Sequence, residues 1–315
     1  MGQQLAGTTQ PAVPRRRMFE GPQSGEARRR ERLGWMLTAP TIILICIVAL
    51  YPVVRTFLLS FTNARLSTTR AVSFVGISNY TDLLTDRTFL RATWNTTVFT
   101  VFSVFFETVL GLIIALTIHS NFKGRGVVRT AMLIPWAIPT VVSAQMWAWM
   151  YNDVFGVIND LLVTRLGWLD TKVAWVANPY LALPSLIAID VWKTTPFMAL
   201  LLLAGLQVIP GDIYEAAHVD GATRWQQFWA MTLPLLRPAL VVALIFRTLD
   251  AFRVFDLPFV IKGTAPETIT LSILARQTMI DLARLGQGAA MAVVIFVFLM
   301  IIVTIYVRLV RVEEG

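Results

Sequence analysis

The sequence predicts an all-α membrane protein with six transmembrane helices and both termini cytoplasmic. Three observations carry this. The 315 residues are 56% hydrophobic and only 15% charged, whereas a soluble domain carries about a quarter charged residues. Several apolar runs reach the roughly 20 residues that cross a bilayer as a helix. Lys and Arg total 14 in the N-terminal tail and the segments on its side against 9 in the alternate loops, which sets that side inside.

Residues 1–34, with Arg15-Arg16-Arg17 and Arg28-Arg29-Arg30, read as a disordered basic cytoplasmic tail. The transmembrane domain is expected over 35–312. The first span is 35–61, with Pro40 and Pro52 bracketing its core and Trp35 at the inner interface. It is too long for a signal-peptide core, and no small-residue cleavage site follows it. The loop 62–91 lies outside, with Ser78 or Asn79 placed to cap a short helix over Asp82-Leu83-Leu84. The second span is 92–119. Lys123, Gly124 and Arg125 make a short inner turn, and 128–151 is the third span, kinked at Pro135 and Pro139.

Residues 152–179 return outside. Phe155, Ile158, Leu161, Leu162 and Leu166 predict an interfacial helix there, with Trp168 and Trp175 at headgroup level. The fourth span is 180–207, the fifth 239–261 and the sixth 288–309. A short helix near 272–280 interrupts the last outer loop. The chain shows no internal repeat of the kind secondary transporters carry.

The most informative stretch is 209–238, a cytoplasmic loop built as two short helices. Glu215-Ala216-Ala217 opens on strong helix formers. Asp220-Gly221 breaks the first helix, because Gly turns most cheaply at positive φ. Thr223 caps the second, and Pro234 and Pro238 are expected to close it. Ala216 and Ala217 permit close approach to another surface, and Glu215 offers it a charge. Trp225, Phe228 and Trp229 are expected to pack on the protein's own spans.

Glu215-Ala216-Ala217, Asp220-Gly221-Ala222, Gln226, Phe228, Leu233-Pro234, Leu236 and Pro238 resemble the EAA loop of binding-protein-dependent ABC importer permeases. Supporting segments run through Tyr51-Pro52, Phe74 to Tyr80, Gly124 to Pro139, Asp190-Val191-Trp192, Pro196-Phe197, and Arg247 to Asp256. They look like the sugar-importer branch, nearest to the trehalose permeases of actinobacteria.

The resemblance implies the type I ABC importer permease fold and a bacterial plasma-membrane location. It implies a second homologous permease, two ABC ATPase subunits that bind ATP and Mg, and an extracytoplasmic sugar-binding lipoprotein. It assigns ATPase coupling to Glu215, Ala216, Ala217, Asp220 and Gly221. The chain departs from the family in its last outer loop, where Lys262 to Glu267 holds a single glycine, and it lacks the large outer insertion of some maltose-type subunits.

Charges inside a span face the bundle interior or a wet cavity. Asp190, Trp192, Lys193, Thr194 and Phe197 fall in the fourth span, and Arg247, Asp250, Arg253 and Asp256 in the fifth. Asp190 and Lys193 are i, i+3 neighbours. Arg247, Asp250 and Arg253 form one stripe, and Glu107 is a partner for a buried cation. Two readings stand: salt bridges that hold the bundle, or a sugar site in which carboxylates and guanidinium groups meet hydroxyls while Trp192 or Phe197 stacks on a pyranose ring. Asn95, Gln145 and Trp149 are further, weaker candidates.

No catalytic residue and no metal site is predicted. Cys46 is the single cysteine, and His119 and His218 have no ligand-spaced neighbours. No G-x-x-x-x-G-K-[ST] run is present, so nucleotide belongs to a partner. The net charge of +8 is explained by topology rather than by nucleic-acid binding, and membrane lipids are the expected surroundings. A different class is an ion-coupled transporter using Glu107, Asp190 and Asp250 as relays.

Overall fold

The computed structural model describes residues 25–66, 71–120 and 122–311. The tail expected over residues 1–24 lies outside them. The described residues fall into two compact units that divide between Val54 and Arg55. The described part of the first is helix α1 (Gly25–Ile45), a π turn over Cys46–Leu50 and the start of α2 (Tyr51–Leu59). Residues 25–34, assigned to the tail, are therefore helical. The run E-A-R-R-R-E-R-L consists mostly of strong helix formers, which extend the apolar segment backwards.

In the second unit α2 ends at Leu59, and α3 (Ser78–Thr85) precedes α4 (Arg87–His119). Ser78 begins α3 instead of capping it. Asn79 is used elsewhere: its Nδ2 donates to the carbonyls of Ser60 at 2.7 Å and Thr62 at 2.9 Å, tying α3 to the end of α2. The second span starts at Arg87 because Asp86 caps it, its Oδ1 accepting from Thr88 N at 2.7 Å.

The third span is broken. Helices α5 (Arg125–Met132) and α6 (Ile134–Ala137) meet α7 (Thr140–Met150) at an 89° bend. Ile138, immediately before Pro139, is extended at φ −71°, ψ 132°, the conformation a following proline imposes. Next come α8 (Val157–Asn159), which runs into a π turn over Asp160–Arg165, and α9 (Pro179–Val208), capped by Asn178. Trp168 is exposed, whereas Trp175 donates its Nε1 to Asn159 Oδ1 at 3.1 Å.

Helices α10 (Gly211–Val219) and α11 (Arg224–Gln227) form the hairpin read from the sequence. Its second helix does not close at Pro234 and Pro238. It continues through a π turn over Phe228–Thr232 into α12 (Leu233–Phe252), so that Arg224–Lys262 is one long apolar run. The carbonyl that the Pro234 ring would meet belongs to Ala230, inside the π turn, where the widened backbone gives it room. Pro52 has the same relation to Val48 in the earlier π turn.

The fifth span is also interrupted. Helix α12 ends at Phe252, and α13 (Asp256–Lys262) restarts after Phe255 at φ −132°, ψ −60°. Helix α14 (Leu271–Arg276), extended by a π turn over Gln277–Asp281, and α15 (Leu285–Arg311) complete the chain. Five described helices are long and apolar enough to cross a membrane, six when the two arms of the bent third segment are taken as one span.

The core is built on α4 and α9. One stripe of α4 is buried, through Ala92, Phe99, Ser103, Glu107, Gly111, Ala115 and Ile118, at the three- and four-residue steps of a helix face. Glycines bring the backbones together. A Cβ on Gly111 would stand 2.7 Å from Met198 Cγ, and one on Gly205 would stand 2.8 Å from Leu236 Cδ1. Small residues at helix contacts are how packing is achieved where lipid supplies no hydrophobic drive. Helix α12 packs on this pair through Leu236 and Ala243, and α14 and α15 cover the far side with Ile273, Ala290, Met291 and Ile295.

Candidate functional site

Arg247 is the centre of the site. It leaves α12 toward α4 and α9 with only 2% exposure. Its Nε lies 2.5 Å from Glu107 Oε2 and its Nη2 2.7 Å from Glu107 Oε1. The same Nη2 reaches Asp190 Oδ2 at 3.3 Å, and Nη1 bonds Asp250 Oδ2 at 2.5 Å. A bidentate guanidinium–carboxylate pair is the strong form of this interaction, and such pairing is what permits charge inside an apolar bundle.

Thr194 extends the network. Its Oγ1 lies 2.5 Å from both Glu107 Oε1 and the Asp190 carbonyl. Pro196, two residues on, withholds a backbone donor from the Trp192 carbonyl, and Thr195 Oγ1 bonds the Val191 carbonyl at 2.6 Å.

Beside the cluster is a cavity of about 660 Å³, inside the roughly 300–1,000 Å³ range of small-molecule sites. Asp190, Lys193 and Thr194 of α9 line one wall. Asp250, Arg253 and Asp256 line a second with Val254, Phe255 and Leu257, and the elbow Trp136–Thr140 forms a third. Six of the nine residues singled out in the spans thus share one cavity.

Three do not line it. Arg247 sits behind it, paired with Glu107. Trp192 turns to the opposite side of α9, edge-on to Trp147 at 5.3 Å and beside Phe102 and Phe106. Phe197 stacks on Trp136 at 5.8 Å and 10°.

The stripe Arg247, Asp250, Arg253 is cut short. Arg253 caps the end of α12 and its Nε donates to the Leu249 carbonyl, while Asp256 belongs to α13. Asp190 pairs across the bundle with Arg247, whereas the Lys193 ammonium points to the carbonyls of Ile138 and Trp136. Asn95 is structural: its Nδ2 donates to the Pro266 and Ile269 carbonyls at 3.2 and 3.0 Å. Gln145 and Trp149 are exposed. Among the described residues no cluster of His, Cys, Asp and Glu could hold a metal ion.

The hairpin is well terminated. Gly221 has φ +76°. Gly221 N donates to the His218 carbonyl at 3.1 Å and Ala222 N to the Ala217 carbonyl at 2.9 Å, the paired bonds of a Schellman stop. Thr223 and Gln226 then form a reciprocal capping box. Glu215, Ala216 and Asp220 are exposed, but Ala217 is buried at 1% and faces the protein's own interior. Tyr214 Oη and Thr232 Oγ1, 3.0 Å apart, bind α10 to the start of the long helix. Trp225 and Trp229 do not pack on the spans. They are 69% and 52% exposed and cluster with Phe228.

Ion-paired groups at the centre of an apolar helical bundle, facing a cavity, define a membrane transport domain. Residues 107–312 match the family described as binding-protein-dependent transport system inner membrane component. The chain belongs to this family, and it is a multi-pass membrane protein. It is 42% identical over 284 residues to the trehalose/maltose transport system permease protein MalF of Thermococcus litoralis, covering 90% of this chain and 95% of the relative. It is 39% identical to the trehalose transport system permease protein SugA of Mycobacterium tuberculosis, covering 91% of each. Among solved structures it superposes on a chain of a bacterial alginate ABC transporter in complex with alginate pentasaccharide-bound periplasmic protein. The TM-score is 0.78 at 25% identity, over 90% of this chain and 96% of that one.

Proposed function

We propose that this chain is a permease subunit that carries a disaccharide, trehalose, inward by alternating access. The observation that carries the reading is the cavity between α9 and α12. These helices flank the hairpin, and Asp190, Thr194, Asp250, Arg253 and Asp256 offer donors and acceptors to sugar hydroxyls. The trehalose permeases among its relatives favour that solute over another sugar or a glycerol-phosphate-like solute.

The basic N-terminal segment supports a cytoplasmic position for both termini and the hairpin. There Glu215, Ala216, Asp220 and Gly221 engage one of two ABC ATPase subunits, which bind ATP and Mg. A second permease completes the pathway, and an extracytoplasmic lipoprotein delivers the sugar. ATP closes the ATPase pair, and the hairpin passes that movement to α9 and α12, which open outward. Hydrolysis returns them. The chain itself contributes no catalytic residue.

Proteoliposomes holding the assembled complex and its binding protein test the reading. ATP-dependent trehalose uptake is expected. Uptake driven by a proton or sodium gradient without the ATPase subunits identifies an ion-coupled carrier instead. ATP-driven uptake of a different solute retains the importer and removes trehalose.

A further inference from the structure

The third span and Lys193 form one device. Pro139 has no N–H, and Ile138 before it is forced into extended backbone. The chain turns through 89°, and the helix restarts when Ser143 N donates to the Pro139 carbonyl at 3.0 Å. The Trp136 and Ile138 carbonyls fall at this break. A carbonyl inside a membrane bundle requires a donor from somewhere. Lys193 of α9 supplies it: Nζ stands 2.6 Å from Ile138 O and 3.5 Å from Trp136 O, and the residue is 7% exposed. One turn further along α9, Phe197 stacks face to face on Trp136. Two successive contacts of α9 therefore hold the same elbow, and that elbow is a wall of the cavity.

We propose that Lys193 is a positioning residue which clamps the Trp136–Thr140 elbow to α9 and so sets the shape of the cavity, rather than a ligand of the transported solute. The Lys193 ammonium is committed to backbone acceptors, and burial makes them costly to abandon. The cavity wall then moves only when α9 moves. Because α9 leads directly into the hairpin, the elbow follows whatever displaces that hairpin. This rests on reading the cavity as the solute site.

The test uses the assembled transporter in lipid. Cys46 is this chain's single cysteine, so Cys46→Ala, in a complex whose other subunits have their cysteines replaced, gives the background for spin labels at Val128→Cys and Met146→Cys, one on each arm of the elbow. Pulsed electron–electron double resonance should give one narrow distance. Lys193→Met should broaden and shift it, with or without sugar, and Lys193→Arg should restore it. In uptake, Lys193→Met should lower the maximal rate about tenfold, the size expected for losing one charge-assisted hydrogen bond. The half-saturating sugar concentration should stay within about twofold.

Unchanged distances in Lys193→Met overturn the clamp. So does a half-saturating concentration raised about tenfold at unchanged distance, which makes Lys193 a sugar ligand. Should Lys193→Met not assemble, Lys193→Gln, whose donor is uncharged and one atom shorter, should shift the distance in the same direction by less, and an unchanged distance there also overturns the clamp. If the wild-type complex takes up no sugar, the functional reading fails while the distance measurement still decides the clamp.

Discussion

Arg247 of α12 and Glu107 of α4 are joined by two bonds, 2.5 and 2.7 Å long, across a sequence separation of 140 residues. The two partners are not equivalent. Removing Glu107 leaves Arg247 with Asp190 and Asp250. Removing Arg247 leaves Glu107, 0% exposed, and Asp190 without their shared cation. Breaking a buried pair costs about 3–5 kcal/mol, so Arg247→Met should fall at the upper end and Glu107→Leu below it. The double variant should recover part of the loss. Thermal unfolding of the solubilised protein measures the order, and equal losses for the two single variants would count against this asymmetry.

Gly221 gives a separable prediction about the hairpin. Its φ of +76° is strained for any residue with a Cβ, yet a Cβ there would meet nothing within 4 Å. The penalty is therefore confined to the backbone, about 1–2 kcal/mol for an ordinary residue, and less for Asn. Gly221→Val should insert in the membrane and keep the fold of the spans. It should still reduce ATP-driven uptake, because the Schellman stop that orients α10 is weakened. Gly221→Asn should retain most uptake. Comparable transport by Gly221→Val and the wild type removes the proposed coupling role of this turn.

The six apolar segments were legible in the sequence because a membrane requires long continuous runs, and these leave a strong signal. The capping of the hairpin by Thr223 and its turn at Gly221 were legible too, since both depend on residues a few positions apart. Contacts across the bundle were not. The i, i+3 spacing offered Lys193 to Asp190, but burial decided otherwise: the broken span presents carbonyls to Lys193, and Arg247 takes both carboxylates.

Helical spacing also ran Asp250 and Arg253 on from Arg247, in a fifth span drawn unbroken through Asp256. The signal against it was Pro258, a residue tolerated in the first turn of a helix, where no backbone donor is missed. Helix α13 begins two residues before it. The exposure of Trp225 and Trp229 has no local sequence signal, because it depends on which surfaces the rest of the chain leaves uncovered.

The packing of α9 on α12 should be sensitive at Gly205. A Cβ there would collide with the Cβ of Ala239 and stand 2.8 Å from Leu236 Cδ1. The Leu236 side chain can rotate away, but Ala239 yields only if the helices separate. Gly205→Ala should cost about 1–3 kcal/mol, the usual range for overpacking. Ala239→Gly should relieve part of that cost in the double variant. Additive losses in a double-mutant cycle of thermal unfolding would show that the two positions do not meet.

The segment between α13 and α14 carries a pH-dependent contribution. Lys262 Nζ and Glu267 Oε1 are 2.9 Å apart, and the hydrogen bond from Lys262 holds the Glu267 carboxyl below its ordinary value of 4.5. A carboxylate whose folded-state pKa is depressed stabilises the fold above its unfolded pKa, and that contribution disappears as pH falls through the folded value. The pair is partly solvated, with side-chain exposures of 18% and 23%, so its worth is at most about 1 kcal/mol. Glu267→Gln should therefore unfold at a slightly lower temperature than wild type at pH 7. The gap should be unchanged at pH 6 and should close only once the pH drops below 4.5, the ordinary carboxylate value. A gap that persists well into that acid range would assign the effect of Glu267 to packing rather than to its charge.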